Sequence, residues 1–379
     1  MIEFNKKLIF KKFFTDNTYF FLSAIITLSL IVWVIQAVNF LDFVTEDGHG
    51  LGVYFKYSLL NFPKILSRLF PLIFFISIFF TINKFEQNNE LKIFWLNGIN
   101  KVKFITNLIK YSLTSLIFLY ILTSYIVPWA QNKSRVYLQE SNIDFFPSLI
   151  SEKKFIDTVD KLTIYIEKKV ESENYENIFI KDTDKDKIKF IYAKTGKLIN
   201  KPEERIFKLF DGKIINVNSG KVTSFDFKTT NFDLSKYLTK STIDFKIQEK
   251  NTTLILSCYV NYFLLKKEYF YDVMDCNDPA IKEMQKELFT RLIKPLFLPV
   301  ITLSLCFLLL YPKESSNYKF SRVWVFFLGL FIIIFSEFSS SLTVRNFLYF
   351  KLSLGLPFII FLIQYIFLYN KVNQYDSKL

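Results

Sequence analysis

Histidine is almost absent from this chain: among 379 residues the only one is His49, which stands between two glycines. A metal site or a histidine-based catalytic pair needs several partner side chains. The phosphate-binding loop G-x-x-x-x-G-K-[ST] is also missing, because each Gly-Lys pair is followed by Leu, Ile or Val. We therefore expect no catalytic residue, no metal site and no cofactor, and energy for work must come from a partner or an ion gradient.

Cysteine is scarce as well, with three in the whole chain. Cys306 lies in an apolar run, whereas Cys258 and Cys276 lie outside such runs. The latter two can pair in an oxidising compartment. Two free thiols are an equally good interpretation, because spacing alone does not determine connectivity.

Charge of one sign is not concentrated where a nucleic-acid site would need it. The formal net charge is +13, but residues 130–287 hold 27 Lys and Arg against 25 Asp and Glu. A nucleic-acid-binding domain gathers its basic charge on its water-soluble part. The central segment is nearly neutral, so we predict no nucleic-acid partner.

What the chain has in abundance is long apolar runs with little charge. A run of about 20 apolar residues matches the roughly 30 Å hydrocarbon core of a bilayer. The second run is short, and residues 51–63 either extend it or lie along the membrane interface. The alternative, six buried helices of a large soluble protein, rarely needs such runs. Six membrane-spanning helices are predicted, near 19–41, 69–82, 104–127, 295–311, 323–344 and 352–369.

Orientation follows from the lysines and arginines in the short connecting segments. The first run is too long for a cleaved signal peptide, so we interpret it as a retained anchor. With the N-terminus inside, the inner segments carry thirteen Lys and Arg residues and the outer short loops carry five. This positive-inside bias predicts that both termini are cytoplasmic and that the central segment faces outward.

The central segment alternates apolar and polar residues in short stretches that indicate strands. Examples are 162–170, 187–193 and 222–227. Turn signals at 194–197, 211–212 and 218–220 separate them. This spacing is typical of a β-sandwich or an open barrel.

The predicted cytoplasmic loop 83–103 contains a short amphipathic segment. Leu91, Phe94 and Trp95 fall on one helical face, and Gly98 is well placed to end that helix. Glu86 and Glu90 lie near its start, where carboxylates suit the helix dipole. The helix either rests on the lipid surface or docks into a groove of a cytoplasmic protein, with the two aromatic residues as anchors.

Polar residues within or beside the membrane runs form a second group of candidates. Such residues are costly against lipid and usually face a bundle interior or a wet cavity. Basic residues at the ends of the runs either attract phosphate groups or extend to the lipid headgroups. The predicted cavity residues are Gln36, Asn39, Arg68, Arg291, Lys294 and Glu337.

The order of these features resembles the lipopolysaccharide export permease family LptF/LptG over the whole chain. Glu90-Leu-Lys-Ile-Phe-Trp-Leu-Asn-Gly98 is similar to the family's E-(I/L)-x-x-(M/L)-x-x-x-G segment. Glu287-Leu-Phe-Thr-Arg-Leu-Ile-Lys-Pro295 is similar to its E-L-x-x-R-x-x-x-P entry to the fourth helix. Ile191–Gly196, Leu209–Gly212 and Phe227 are similar to its jellyroll strands. Details of the fourth helix lean toward the LptF-like paralogue.

The resemblance implies a membrane α-helical fold of six transmembrane helices plus an extracytoplasmic all-β jellyroll-like domain. The implied partners are a cytoplasmic ATPase dimer, a paralogous permease subunit, periplasmic bridge proteins, lipopolysaccharide and membrane lipid, and Glu90 takes the family's glutamate position. Family members can carry basic residues on the first helix, where this chain has Gln36 and Asn39. That departure leaves phosphate recognition to Arg68, Arg291 and Lys294, to the partner subunit, or to a less anionic headgroup.

We therefore expect a permease subunit, without its own enzymatic activity, in the bacterial inner membrane. It would extract lipopolysaccharide from the outer leaflet and pass it to the bridge. The expected domains are residues 1–129, with a coupling helix near 86–98, then 130–287 and 288–379. The alternatives are an inner-membrane scaffold or sensor with a ligand-binding outer β domain and, more weakly, a secondary transporter.

Overall fold

The computed structural model describes residues 2–40, 51–149, 152–159, 162–171, 174–184, 187–200, 205–218, 221–233, 246–265, 270–271, 274–276, 278–344 and 347–376. His49 lies outside these ranges. The chain forms two compact units. The first comprises Met1–Ile35, Asn61–Asn132 and Lys246–Leu379, and the second comprises Gln36–Leu60 and Lys133–Phe245.

The helices before the sheet run in the order α1 (Ile2–Asn39), α2 (Leu51–Gln87), the short α3 (Glu90–Leu96), α4 (Lys101–Ile121) and α5 (Val127–Leu149). A π-helical turn, Leu122–Ile126, joins α4 to α5 without a break in the chain's helical path. After the sheet come a 3₁₀ turn (Ile247–Glu249), α6 (Thr252–Leu265), a small hairpin of β7 (Phe270–Tyr271) and β8 (Met274–Asp275), and α7 (Asp278–Leu288).

The remaining helices follow from α7 with little interruption. A π turn (Phe289–Ile293) and a 3₁₀ turn (Lys294–Leu296) lead into α8 (Phe297–Cys306), which ends in another 3₁₀ turn (Phe307–Leu310). Two long helices complete the chain, α9 (Tyr318–Leu342) and α10 (Phe347–Asp376).

All six predicted membrane runs are confirmed as helices long and apolar enough to cross a membrane. The spans are Lys7–Asn39, Leu51–Gln87, Lys101–Leu138, Ala280–Leu310, Tyr318–Leu342 and Tyr349–Gln374. Residues 51–63 extend the second span, because α2 begins at Leu51 and continues through Pro63 and Pro71. The second span is thus much longer than its apolar run.

The core of the first unit is centred on α8, and every residue of α8 is buried. Phenylalanines from α1, α2 and α4 fill the space between those helices, for example Phe13, Phe74 and Phe104. A close helix contact depends on Gly329 of α9, where an added Cβ would lie 2.1 Å from the Phe75 ring of α2. Without a side chain at that position the two helices approach each other closely.

The second unit contains one antiparallel sheet of six described strands in sequential order. They are β1 (Phe155–Val159), β2 (Leu162–Glu171), β3 (Asn174–Asp184), β4 (Lys187–Asn200), β5 (Arg205–Asn218) and β6 (Lys221–Asp233). The predicted β domain is confirmed, but as a meander. A jellyroll needs Greek-key crossovers, and the described strands show none.

Two predicted turns are wrong, because the strands are longer than the turn residues indicated. Residues 194–197 lie inside β4, where Lys197 pairs with Lys208. Asp211 and Gly212 lie inside β5, and Gly212 is opposite Ala193. A Cβ at Gly212 would lie 2.0 Å from the Tyr192 carbonyl oxygen, so glycine here serves close strand approach. The turn signal at 218–220 begins at Asn218, the last residue of β5, and its other two residues lie outside the described residues.

One face of the sheet is apolar and buried. Ile164, Ile180, Ile191, Phe207 and Leu209 alternate with residues of the opposite face and pack together. This period of two was the signal that predicted the strands.

The sequence also predicted domain limits at 129/130 and 287/288. These limits separate segments by the side of the membrane on which they lie, whereas the compact units are defined by contacts within the chain. The predicted limits therefore stay a prediction.

Candidate functional site

The predicted coupling helix is shorter than expected and is a separate element. Helix α2 continues to Gln87, so Glu86 lies in the last turn of α2 and not on the short helix. Asn89, at φ 59°, turns the chain, and α3 begins at Glu90. The sequence predicted one helix near 86–98, whereas two asparagines, Asn88 and Asn89, separate two helices there. Asparagine tolerates this left-handed conformation better than most residues.

The predicted end of the short helix at Gly98 is confirmed. Gly98 has φ 67°, its N–H donates to the Trp95 carbonyl, and the Ile99 N–H donates to the Phe94 carbonyl, both at 3.0 Å. This is the Schellman arrangement, which favours glycine at the left-handed position. The motif fixes the direction in which the chain leaves α3 for α4.

The apolar stripe of α3 faces the protein itself. Leu91 and Phe94 are each 1% exposed, and the Phe94 ring lies 5.4 Å from Phe10 and 5.2 Å from Phe104. Trp95 is half-buried against the same cluster. The sequence predicted that Phe94 anchors a partner protein. In the structure its ring is instead enclosed by other residues of this chain.

The opposite face of α3 is exposed and also apolar. Ile93 is 48% exposed and Leu96 is 87% exposed. An apolar residue so accessible on a short loop helix contributes nothing to the core. This face is available to a second molecule.

Glu90 is linked to the first helix by an ion pair. Lys12 Nζ donates to Glu90 Oε2 at 3.0 Å, and the Asn88 side-chain amide donates to Glu90 Oε1 at 3.2 Å. Partial burial opposes ionisation, but these two hydrogen bonds and the charges of Lys12 and Lys84 outweigh it, so the pKa of Glu90 lies below its ordinary value. The carboxylate is therefore charged at neutral pH.

Two further contacts connect this region to the segment before α9. Lys92 of α3 forms an ion pair with Glu314, and the Lys313 backbone N–H donates to Glu86 Oε1 at 2.8 Å. The hydrogen bond from Lys92 lowers the pKa of Glu314. Helix α3 thus contacts α1 on one side and the connection between α8 and α9 on the other. We call three polar contacts together the loop clasp: Lys12–Glu90, Lys92–Glu314 and Lys313–Glu86.

Three predicted cavity residues lie individually on helix surfaces. Gln36, near the C-terminal end of α1, is half-buried, and Asn39, in its last turn, is exposed. Arg68, in the first half of α2, is exposed. Their role in substrate contact stays a prediction.

Two other predicted cavity residues, Lys294 and Glu337, form an ion pair with each other. Lys294 belongs to the 3₁₀ turn before α8, and Glu337 belongs to α9. The Lys294 side chain is 11% exposed, whereas that of Glu337 is 57% exposed. The pair lets each helix carry a charge inside a membrane span, because each charge has an opposite partner.

Arg291 donates its hydrogen bonds to other residues of this chain, although the sequence predicted that it faces a substrate cavity. It is 2% exposed and donates from Nε to Glu287 Oε1 at 2.8 Å. Its other donors reach the carbonyls of Lys250 and Gln248 and the Thr252 hydroxyl, at 2.8 to 3.0 Å. The planar guanidinium suits such a many-sided contact. Arg291 therefore ties the segment before α6 to the fourth membrane span.

Prolines in the third and fourth spans explain why hydroxyl groups gather around Arg291. Pro295 has no N–H, which frees the Arg291 carbonyl four residues earlier, and Thr123 donates to it at 3.1 Å. Pro128 likewise frees the Ser124 carbonyl, to which Thr252 donates at 2.6 Å. Neighbouring side chains are expected to satisfy such carbonyls in membrane helices. Both π turns lie here, a feature that is frequent at functional sites.

Sequence reasoning missed a buried polar cluster around Asn17, which lies just before the first apolar run. Asn17 is fully buried and donates to the Tyr111 hydroxyl at 3.0 Å. Ser77 and Thr81 donate to Asn17 Oδ1 at 2.7 and 3.2 Å. This cluster joins α1, α2 and α4. A polar residue inside a helix pattern, followed by an apolar run, was the available signal.

No cluster of metal-ligating side chains occurs among the described residues. The architecture is that of a multi-pass membrane protein, in which three apolar spans precede an antiparallel sheet along the chain and three follow it. A sequence model of the lipopolysaccharide export system permease LptF/LptG family matches residues 11–371, and the chain belongs to that family. Membership supports a transport role in the bacterial inner membrane within a lipopolysaccharide transport complex. The family description covers both paralogues, so the leaning toward LptF stays a prediction.

One relative aligns with most of this chain. A protein of Rickettsia prowazekii (strain Madrid E), itself described as uncharacterized, is 25% identical over 345 residues. The alignment covers 88% of this chain and 92% of the relative. The similarity therefore extends through the membrane spans and the central β domain together.

Proposed function

We propose that this chain is the permease subunit of an ATPase-driven exporter. It extracts lipopolysaccharide from the outer leaflet of the inner membrane and passes it to a periplasmic bridge. Exposing acyl chains costs about 0.8 kcal/mol per methylene, so extraction needs a coupled energy source. The chain has no phosphate-binding loop, and a cytoplasmic ATPase dimer supplies that energy.

The observation that carries this proposal is the two-sided character of α3. Its inner face, Leu91 and Phe94, is held in the protein core, while Ile93 and Leu96 stand exposed on the other face. Exposed apolar side chains on a helix that is held in place can bind in a groove of a partner protein. The loop clasp connects α3 to two other parts of the chain, so movement of the ATPase can reach both sets of spans.

The test is co-purification of this chain with its ATPase and the lipopolysaccharide-stimulated ATPase rate in nanodiscs. We expect Leu96→Ser to weaken assembly at least tenfold, because it removes the most exposed apolar anchor. Leu113→Ser is the matched control, since Leu113 is 46% exposed on the membrane-spanning part of α4. Assembly and ATPase rates equal to the wild type in Leu96→Ser contradict the proposed coupling surface.

For the cargo, the Lys294–Glu337 pair is the proposed phosphate-responsive element. A lipid phosphate that approaches this pair competes with the Glu337 carboxylate for the Lys294 ammonium. Lys can bind phosphate as a point charge. Exchange of one anion for another leaves the lysine paired inside the membrane throughout. Arg68 is a second proposed contact, Gln36 and Asn39 are proposed neutral contacts, and Arg291 positions the fourth span.

This exchange is tested by crosslinking and by lipopolysaccharide affinity in the purified complex. Glu337→Gln removes the competing anion and is expected to raise affinity about threefold, whereas Lys294→Gln is expected to lower it. Lys351→Gln controls for the loss of one charge on an exposed position of α10. Equal affinity in all three variants contradicts the exchange.

The proposed bridge contact is the β6 edge of the sheet. Among the described strands β6 pairs with β5 alone, and its 13 residues are mostly exposed. A long edge strand can extend its pairing into a strand of another protein. Thr229→Pro removes one backbone N–H from this edge strand, whereas Thr229→Ala keeps it. We expect bridge binding to be lost in Thr229→Pro and to remain full in Thr229→Ala.

The proposed orientation has both termini in the cytoplasm and the β domain in the periplasm. The disulfide between Cys258 and Cys276 supports it, because these residues lie on the predicted outer side and disulfides persist in oxidising compartments. The exposed stripe of α9, which includes Phe327, Phe331 and Ile334, is proposed to face membrane lipid and the paralogous permease subunit. Protease or alkylation access from each side of sealed vesicles tests the orientation.

A further inference from the structure

An unbroken row of paired residues crosses the sheet on the face opposite its apolar core. Successive strands place directly opposite one another the residues Phe155, Tyr165, Phe179, Tyr192, Lys213 and Asp226. Residues that pair in this way point to the same face. The first four are aromatic, and strand spacing sets their combined reach at about 14 Å.

The four aromatic rings of this row touch one another and remain accessible. The rings of Phe155 and Tyr165 are 4.8 Å apart, and those of Phe179 and Tyr192 are 4.9 Å apart. Phe155 is 65% exposed and Tyr192 is 47% exposed. The rings form a continuous platform that the protein core does not use.

A polar row runs beside the aromatic row. Asn177, Lys194 and Asp211 lie two residues along the strands from Phe179, Tyr192 and Lys213, and they line the same groove. Together the two rows line a shallow groove of about 830 Å³. One side of the groove offers ring faces, and the other offers an amide, an ammonium and a carboxylate.

We propose that this groove binds the saccharide part of the cargo lipopolysaccharide. A pyranose ring has an apolar C–H face and a rim of hydroxyl groups. The aromatic row offers flat apolar surface to the first, and the polar row offers donors and acceptors to the second. The inference rests on the proposed function and adds a site for the part of the cargo that is not lipid.

An acyl chain fits this surface less well than a sugar does. The groove is open, so a hydrocarbon chain laid on it keeps much of its surface in water and gains little hydrophobic free energy. Opposite charges, such as Lys213 and Asp226, would also lose hydration beside it without gaining a partner. Sugar hydroxyls can hydrogen-bond to both charges.

The experiment uses the full chain in nanodiscs and calorimetric titration with a soluble oligosaccharide released from lipopolysaccharide by mild acid, which carries no acyl chain. We expect wild-type binding and at least fivefold weaker binding in Tyr192→Ala, while Tyr192→Phe keeps most of the affinity. Phe225→Ala is the matched control, because Phe225 is 54% exposed and pairs with Ile214 in a row on the other face. Both positions, Tyr192 and Phe225, are exposed, and elution profiles check that the variants fold.

Three outcomes overturn the inference: no oligosaccharide binding to the wild type, equal binding in Tyr192→Ala, or binding of free fatty acid that Tyr192→Ala abolishes. Lipopolysaccharide-stimulated ATPase activity of the complex is measured in parallel. Stimulation without saccharide binding rejects the groove and retains the export function. Saccharide binding without stimulation supports the groove and rejects the proposed export function.

Discussion

Lys12 on the first helix donates to Glu90 on the short loop helix at 3.0 Å, across 78 residues of sequence. The Lys12 side chain is 62% exposed and that of Glu90 is 22% exposed. Exposed ion pairs contribute about 0.2 to 1 kcal/mol to stability. The importance of this pair therefore lies in where it holds α3, and much less in the stability of the fold.

For Lys12→Met we expect an almost unchanged melting temperature and a clear loss of lipopolysaccharide-stimulated ATPase activity, because α3 loses its link to α1. Lys11→Met is the control, as it removes the same charge from the neighbouring exposed position. Melting curves and ATPase rates of the purified complex are the measurements. Equal activity in the two variants shows that the pair does not transmit coupling.

The pH dependence of this contact follows from the lowered pKa of Glu90. A carboxyl group whose pKa is lower in the folded state stabilises above its unfolded value, ordinarily about 4.3. That contribution is lost as pH falls through the lower, folded value. Coupling between α3 and α1 should therefore be constant from pH 8 to pH 5, as followed by the ratio of the ATPase rates of the wild type and of Lys12→Met, a comparison that leaves Glu90 in place.

Arg291→Lys tests whether the guanidinium geometry matters beyond its charge. Lysine cannot reach Glu287, Lys250, Gln248 and Thr252 together, so buried acceptors lose their donors. Disrupting such a buried charge network costs about 3 kcal/mol. We expect a lower melting temperature in Arg291→Lys and a smaller decrease in Lys286→Gln, which alters an outer position of α7. Full stability of Arg291→Lys would mean that the network is not needed for folding.

Gly329→Ala tests the close contact between α9 and α2. The added Cβ would lie 2.1 Å from the Phe75 ring, and overpacking of this kind costs about 2 kcal/mol. Phe75→Leu in the same chain removes the clash and should recover most of the lost stability. Gly355→Ala is the control, because its Cβ would meet no atom closer than 3.8 Å. Additive effects of the Gly329 and Phe75 substitutions would refute the contact.

The cysteines predict a distinct labelling pattern. Cys258 and Cys276 are bonded and Cys306 is a buried free thiol. Without reductant, alkylation of the unfolded chain should modify Cys306 alone. After reduction it should modify all three cysteines, and mass spectrometry reads both results. Cys258→Ser should destabilise the protein by about 3 kcal/mol through the lost crosslink. Modification of all three cysteines before reduction would contradict the bond.

The membrane spans were predictable because lipid imposes a one-dimensional constraint. A helix that crosses hydrocarbon must be apolar over its length, and all six runs obeyed this rule. The strands were predictable from alternation, but turn residues misled at Asp211 and Gly212. There glycine serves a close strand contact at the Tyr192 carbonyl, which depends on a neighbouring strand and leaves no local signal.

The site was predictable in location and only partly in role. Leu91 and Phe94 were expected on one short helix that Gly98 ends, and that helix exists. Which of its faces is enclosed depends on Phe10 and Phe104, far away in sequence, so the free face at Leu96 was not predictable. Arg291 was equally ambiguous, because its acceptors are backbone carbonyls that carry no sequence signature.

The sequence by itself determined six spans, a central β segment, the end of the short helix at Gly98 and membership of a permease family. These properties depend on local composition and periodicity. Only the tertiary structure decided that Glu90 pairs with Lys12, that Lys294 pairs with Glu337 and that Arg291 is enclosed. Ion pairs and burial depend on which distant segments meet, and the free energy that selects those meetings is a property of the packed chain.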